Sequence, residues 1–458
     1  MTSKELIDRV IKKLQEYQNL ESQANARYIL YGVHEDNANF PNFDIHLSEK
    51  SEGLAYLYLE VACSLYESEN IIDAIPYFEK GASLLEYNHA ASREDYFSDF
   101  SLMVCGLAYY CAFQYSKSFI VISRGEYQTK FTEIIRNFLS KRFDLLENTI
   151  KESILKNTND EEWDNVFEIL LAKAMSLVIY YFNYGKEENL QKANNIISDA
   201  KELAGMGEDP SIWWEFRLLH IIFSQIGHSS LWGCLHNNPS FKVDNGGWGE
   251  IYKKLGIMNI DWDKTARDAV EKYIYSLNYK KKPITELFRS QRAALDKVLS
   301  NESSVVSMPT SSGKTRIAEL VMLQALLYQD TTKVLYIAPY RSLAFEMEET
   351  FSLSFSTLGM GVSHLYGGAQ FTALDRAEMA DSRILIVTPE KAKAILRSND
   401  AIVTSIKLVV MDEGHLLGLS EREIANEMFT EELRRIIKRN DGKFLVLSAV
   451  LPNVQDMS

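Results

Sequence analysis

One short segment constrains this chain more than any other. Pro309-Thr310-Ser311-Ser312-Gly313-Lys314-Thr315 directly follows the apolar run Ser304-Val305-Val306-Ser307-Met308. A strand that ends in such a loop and turns into a helix aims backbone N–H groups and a lysine at the β- and γ-phosphates of a nucleotide, and a threonine hydroxyl at Mg²⁺. Folds that present this loop are parallel sheets with crossover helices. On this reading Thr310, Ser311, Ser312 and Gly313 form the cradle, Lys314 contacts the phosphates and Thr315 the metal. The expected cofactors are ATP and Mg²⁺. Further along, Ile406-Lys407-Leu408-Val409-Val410-Met411 runs into Asp412-Glu413-Gly414-His415. A carboxylate at the end of a buried strand can hold Mg²⁺ through water, and its neighbour can orient and deprotonate the attacking water. Asp412 is therefore assigned to the metal and Glu413 to the base.

The rest of the composition sets bounds. At 458 residues, 46% hydrophobic and 24% charged, the chain has room for two to four domains and the make-up of a folded protein. Cys63, Cys105, Cys111 and Cys234 are scattered with no CxxC pair, which suits buried thiols in a reducing cytoplasm. The N-terminal residues are charged and amphipathic, unlike a secretory signal. The apolar stretches 100–115 and 169–184 are interrupted by Gln114 and Lys173 and read as buried helices rather than membrane spans. A net charge of −14 argues against a surface that coats nucleic acid nonspecifically, though a local groove remains compatible with it.

Along the chain, Tyr279-Lys280-Lys281-Lys282-Pro283 forms a basic linker ending in a helix breaker. An all-α N-terminal region precedes it and an α/β pattern follows. The expected domains are a helical array over 1–204, a helical Trp/Gly-rich connecting region over 205–278, and a P-loop domain over 279–458. Within the array, 53–66 with 72–87 make a helix pair whose Ala74-x3-Phe78 spacing resembles the second helix of a tetratricopeptide repeat. Pro76 fits only a first turn, so that second helix is expected to start near Asp73. Weaker pairs are 101–115 with 118–127 and 164–184 with 189–204. The spacing is irregular, and a plain helical domain is the alternative. Trp213, Trp214, Trp232 and Trp248 suit a packed core or docking surface better than a base-stacking platform. His228, Cys234 and His236 lie close in sequence but lack a fourth ligand for zinc.

From Ile284 the order of motifs resembles the first RecA-like domain of superfamily 2 DExH helicases, of the Ski-like group. Leu287-Phe288-Arg289-Ser290-Gln291 is similar to the family's Q motif, which implies that Gln291 reads adenine. Pro339-Tyr340-Arg341-Ser342-Leu343-Ala344 looks like motif Ia, Tyr366-Gly367-Gly368 like the GG element, and Thr388-Pro389-Glu390-Lys391 like motif Ib. The resemblance makes Arg341, Ser342, Gly367, Gly368, Thr388, Pro389 and Glu390 a track for a sugar–phosphate backbone, which distinguishes DNA from RNA poorly. Asp412-Glu413-Gly414-His415 matches the DExH box, with His415 linking the ATP site to the next motif. That motif is Leu447-Ser448-Ala449-Val450, where the family usually has Ser-Ala-Thr. Ser448 is retained as a coupling residue, while Val450 lacks the threonine hydroxyl. Met308 replaces the glycine or alanine that usually opens the phosphate loop.

The family's motor needs a second RecA-like lobe bearing arginine fingers. The resemblance implies that it comes from a longer native chain or from another polypeptide, and that residues 1–458 alone turn ATP over poorly. A long helical region ahead of such a motor also resembles the helicase subunits of Hachiman-type bacterial anti-phage systems, where a nuclease-like effector is the implied partner. The expectation is thus an ATP-dependent helicase or translocase whose helical region docks a partner protein. The competing readings are a repeat-containing nucleotide-switch ATPase, and a scaffold with a non-hydrolysing lobe.

Overall fold

A computed structural model describes residues 3–33, 46–91, 99–156, 166–207, 210–236, 238–241, 254–255, 262–278, 283–300, 302–309, 312–328, 331–365, 371–398, 401–414 and 421–449. The chain divides into two compact units, residues 1–228 and 229–458.

The described part of the first unit is helical: α1 (Ser3–Leu14), α2 (Gln18–Val33), α3 (Leu47–Glu67), α4 (Ile71–Ala91), α5 (Asp99–Cys111), α6 (Tyr115–Ile122), α7 (Lys130–Leu139), α8 (Phe143–Lys156), α9 (Val166–Tyr184), α10 (Glu187–Gly205) and α11 (Pro210–Ser229). Helices adjacent in sequence pack together, α3 on α4, α4 on α5, α5 on α6 and α9 on α10. The α3–α4 contact is close because Gly81 has no side chain. A Cβ there would stand 2.7 Å from Leu59 Cδ2. Asn88, fully buried on α4, accepts from Arg27 of α2 at 2.9 Å and from Ser51 of α3 at 2.7 Å, fixing three helices on one side chain. Pro76 departs from its expected place. It lies in the second turn of α4, which starts at Ile71 rather than near Asp73. The carbonyl it deprives of a partner is that of Ile72, a residue 77% exposed, where water can serve instead.

Helix α9 is long and apolar enough to cross a membrane by length and composition. In the structure its Leu171, Met175, Val178 and Phe182 are buried, and it packs on α7, α8 and α10. Cys63, Cys105 and Cys111 are buried thiols.

Among the described residues, the second unit is built on a six-stranded parallel sheet of order β1-β6-β5-β2-β4-β3. Its strands are β1 (Ser304–Ser307), β2 (Lys333–Ile337), β3 (Val362–His364), β4 (Ile384–Val387), β5 (Ile406–Met411) and β6 (Lys443–Ser448). Their near-continuous aliphatic runs are what a sheet covered on both faces requires. Its helices are α12 (Trp262–Asn278), α13 (Arg289–Val298), α14 (Lys314–Tyr328), α15 (Arg341–Phe355), α16 (Ala373–Asp381), α17 (Pro389–Arg397) and α18 (Glu421–Arg439). One face of the sheet, with Leu335, Val387, Val409 and Val446, packs on Met379 of α16, Ile395 of α17 and Leu433 of α18. By strand alternation Tyr336 and Val410 point to the other face, whose neighbours are α14 and α15.

The two compact units divide at 228/229, whereas the domain boundaries expected from the sequence lie at 204/205 and 278/279. Helix α11 continues the helical unit, because Arg217 pairs with Glu60 and Glu67 of α3 and lies over the Trp213 and Trp214 rings. Helix α12 belongs instead with the sheet. The fully buried Tyr273 hydroxyl donates to Glu319 of α14 at 2.7 Å and accepts from Arg316 at 3.0 Å. Residues 229–231 bridge antiparallel to 285–287, through Leu231 N to Thr285 O and Leu287 N to Ser229 O, each 3.0 Å. His236 pairs with Glu271 at 2.9 Å, and among the described residues no group of three or more His, Cys, Asp or Glu could hold a metal.

Candidate nucleotide site

The carboxyl ends of the strands bring the sequence motifs to one edge of the sheet, where open α/β sheets hold their ligands. β1 ends in the phosphate loop. Of that loop Pro309 and Ser312–Thr315 are described, while Thr310 and Ser311 lie outside the described residues. Ser312 donates to the Pro309 carbonyl through N at 3.1 Å and Oγ at 2.5 Å, closing a tight turn. Gly313 follows with φ +78°, a left-handed conformation that favours glycine. Its carbonyl accepts from Arg316 N at 3.1 Å and from Gln291 Nε2 at 3.0 Å. A Cβ on Gly313 would stand 2.3 Å from that Gln291 nitrogen.

Lys314 opens α14 and is only 7% exposed. Among the described residues nothing accepts a hydrogen bond from its ammonium. A buried cation without an acceptor is costly, and anionic phosphate oxygens are the natural remedy. The residues present therefore fit a nucleotide polyphosphate. The divalent cation would arrive with it, held by Asp412, Thr315 and phosphate oxygens rather than by a protein cage.

Asp412 lies just past β5, its N–H donating to Ile337 O of β2 at 3.0 Å. Its Oδ1 accepts from Glu413 N at 2.8 Å and its Oδ2 from the Tyr336 hydroxyl at 2.5 Å. Burial, with Asp412 adding to it, raises the Tyr336 hydroxyl well above the usual tyrosine range, so Tyr336 is the donor. Glu413 has φ +51°, a conformation seldom adopted by residues with a side chain. The turn also explains Gly414: a Cβ there would stand 2.4 Å from Val446 Cγ1. The buried Ser448 ends β6, and its carbonyl accepts from Met308 N at 3.0 Å, beside the entry to the phosphate loop. His415 and Val450 lie outside the described residues.

Gln291 sits where the motif order expects it, but both ends of its amide engage the protein. Oε1 accepts from Phe288 N at 2.9 Å while Nε2 reaches Gly313. Each retains one further hydrogen-bonding valence for adenine. Ala338 N donates to Val387 O at 2.9 Å, so the loops after β2 and β4 run side by side. Helices α15 and α17 then start, with Arg341 and Ser342 exposed at the first, and at the second the half-buried Thr388 and Pro389 beside the exposed Glu390. Paired helix N-termini and an arginine suit phosphates, whereas the Glu390 carboxylate has the wrong sign for them. Lys391 turns inward to a buried pair with Asp375 at 2.7 Å. Burial pushes the Asp375 carboxyl up, but hydrogen bonds from Lys391 and Thr372 outweigh it and hold the group below its ordinary value. Gly367 and Gly368 lie outside the described residues.

Residues 288–457 match the family model for the DEAD/DEAH box helicase. The chain carries a DEAD/DEAH box helicase domain. Over 454 residues the chain is 39% identical to the Hachiman protein HamB of Bacillus cereus, an alignment covering 98% of this chain and 38% of that protein. Over 171 residues it is 36% identical to activating signal cointegrator 1 complex subunit 3 of Dictyostelium discoideum, covering 35% of this chain and 8% of that one. The crystal structure of the DUF1998 helicase MrfA aligns with 41% of this chain and 30% of its own, at 28% identity and a TM-score of 0.36. The chain thus spans well under half the length of these relatives.

Within the second unit, sequence reasoning missed Tyr336 and the Tyr273–Glu319–Arg316 cluster. The signal for the first was a tyrosine in an otherwise aliphatic buried strand, whose hydroxyl must find a partner.

Proposed function

We propose that this chain is the ATP-binding part of a nucleic-acid helicase or translocase, and that it works in anti-phage defence as the name of its Bacillus cereus relative suggests. The buried Lys314 ammonium, with no protein acceptor among the described residues, carries the reading. Lys314 binds the β/γ-phosphates, and Thr315 and Asp412 share the Mg²⁺ that accompanies them. Bound Mg²⁺ neutralises charge on the phosphates and organises water. Glu413 accepts a proton from the attacking water. Ser448, whose backbone carbonyl bonds to the start of the phosphate loop, relays its state along β6. Arg341 and the N-termini of α15 and α17 grip the backbone of one strand.

The helical first unit is proposed to dock a partner protein, a nuclease-like effector being the candidate, and the cytoplasmic setting expected from the cysteines belongs to the same proposal. A second RecA-like lobe would complete the strand track and supply the arginine that accelerates hydrolysis, by a factor of roughly 10³ or more. The test is ATP hydrolysis by residues 1–458 with and without single-stranded DNA or RNA, beside Glu413→Gln. Strand-stimulated turnover lost in that variant supports the reading. Nucleotide binding that is indifferent to strands and drives oligomer formation supports the nucleotide-switch alternative.

A further inference from the structure

We propose that Tyr336 is a positioning residue for the metal-holding carboxylate of Asp412, a role that rests on the nucleotide–Mg²⁺ reading above. β2 and β5 pair with Tyr336 opposite Val410, so Asp412 lies two residues further along on the same face. Two residues of strand advance about 6.6 Å, a distance a tyrosine side chain spans and a serine or threonine does not. The Tyr336 ring is fully buried and held edge-on by Phe351 of α15, the centroids 5.0 Å apart. From that fixed ring the hydroxyl donates to Oδ2 at 2.5 Å, while the Glu413 N–H occupies Oδ1 at 2.8 Å. With one bond on each oxygen, the carboxylate plane is set before any ligand arrives. Each oxygen keeps lone pairs for a metal-bound water. Outer partners of this kind orient ligating groups and tune their metal affinity.

The hydroxyl also ties the carboxylate to a particular layer of the fold. Tyr336 contacts α15, which starts at Arg341 on the proposed strand track. A shift of α15 on strand binding would move the ring, and with it the carboxylate.

The test uses the whole chain, a fluorescent ADP analogue and a Mg²⁺ titration, with Mn²⁺ binding in the presence of ADP followed by electron paramagnetic resonance. Tyr336→Phe should raise the Mg²⁺ concentration for half-maximal tightening of ADP binding by about tenfold, and weaken Mn²⁺ binding similarly. ADP affinity in EDTA should stay unchanged. Phe351→Leu, which loosens the ring but leaves the hydroxyl, should lower Tm with a smaller Mg²⁺ shift. In an Asp412→Ala background, Tyr336→Phe should have no further effect on Mg²⁺. An unchanged Mg²⁺ midpoint in Tyr336→Phe overturns the role, as does an equal shift in the Asp412→Ala background. If the unsubstituted chain binds ADP identically with and without Mg²⁺, the metal reading itself fails and the inference falls with it.

Discussion

Lys314, Glu413 and Gly414 show how individual residues divide the work at the carboxyl edge. Glu413 is the proposed base and stands outside the phosphate cradle, so Glu413→Gln is expected to retain nucleotide binding and lose roughly 10²–10⁴-fold in turnover. A binding titration beside a phosphate-release assay checks both halves. Gly414 answers to packing: Gly414→Ala would drive a methyl into Val446 and is expected to cost about 1–3 kcal/mol in stability, read as a lowered denaturant midpoint. Lys314 and Glu413 were legible as candidates because nucleotide chemistry dictates their residue types and spacing, whereas the packing reason for Gly414 appears only in the fold. Gln291 was legible only as a position. Its bond to the Gly313 carbonyl depends on the left-handed turn of the loop, which no linear pattern displays.

At the scale of elements, the tie between α12 and α14 has the largest consequence. Glu319 is fully buried on the helix that Lys314 opens, and Tyr273 and Arg316 both donate to its Oε2, while Oε1 has no partner among the described residues. Removing one donor leaves a buried carboxylate less satisfied. Tyr273→Phe is therefore expected to destabilise the chain by about 1–3 kcal/mol and to weaken nucleotide binding through α14. Chemical denaturation with and without ADP checks this, and an unaltered ligand-induced stabilisation would confine the effect to folding. The strands of the sheet were readable from their aliphatic runs and the helices from their periodicity. The membership of α12 was not, since it rests on contacts distant in sequence, such as the Tyr273 hydroxyl bond to Glu319 across 46 residues and the packing of α12 on α15. Pro76 carries the same lesson, because its tolerance in a second turn depends on the exposure of Ile72.

Across the whole molecule, the two units differ in what their sequences disclose. The helicase domain announces itself through motifs that touch a shared ligand class. The helical unit holds itself together through Asn88, Gly81 and Arg217, residues that reveal packing and say little about a partner. A partner that docks there is expected to be retained by residues 1–228 alone if that unit folds by itself. Pull-down with the proteins of a Hachiman-type system checks that expectation.

The nucleotide site depends most directly on Lys314. Calorimetric titration of ATP with Mg²⁺ into residues 1–458 should give saturable one-to-one binding. Lys314→Ala should weaken it roughly tenfold to a hundredfold while leaving Tm without ligand unchanged or raised, because a buried unpaired cation is removed. Equal ATP affinity in both proteins, or none in either, would contradict the assignment of this edge as a nucleotide site.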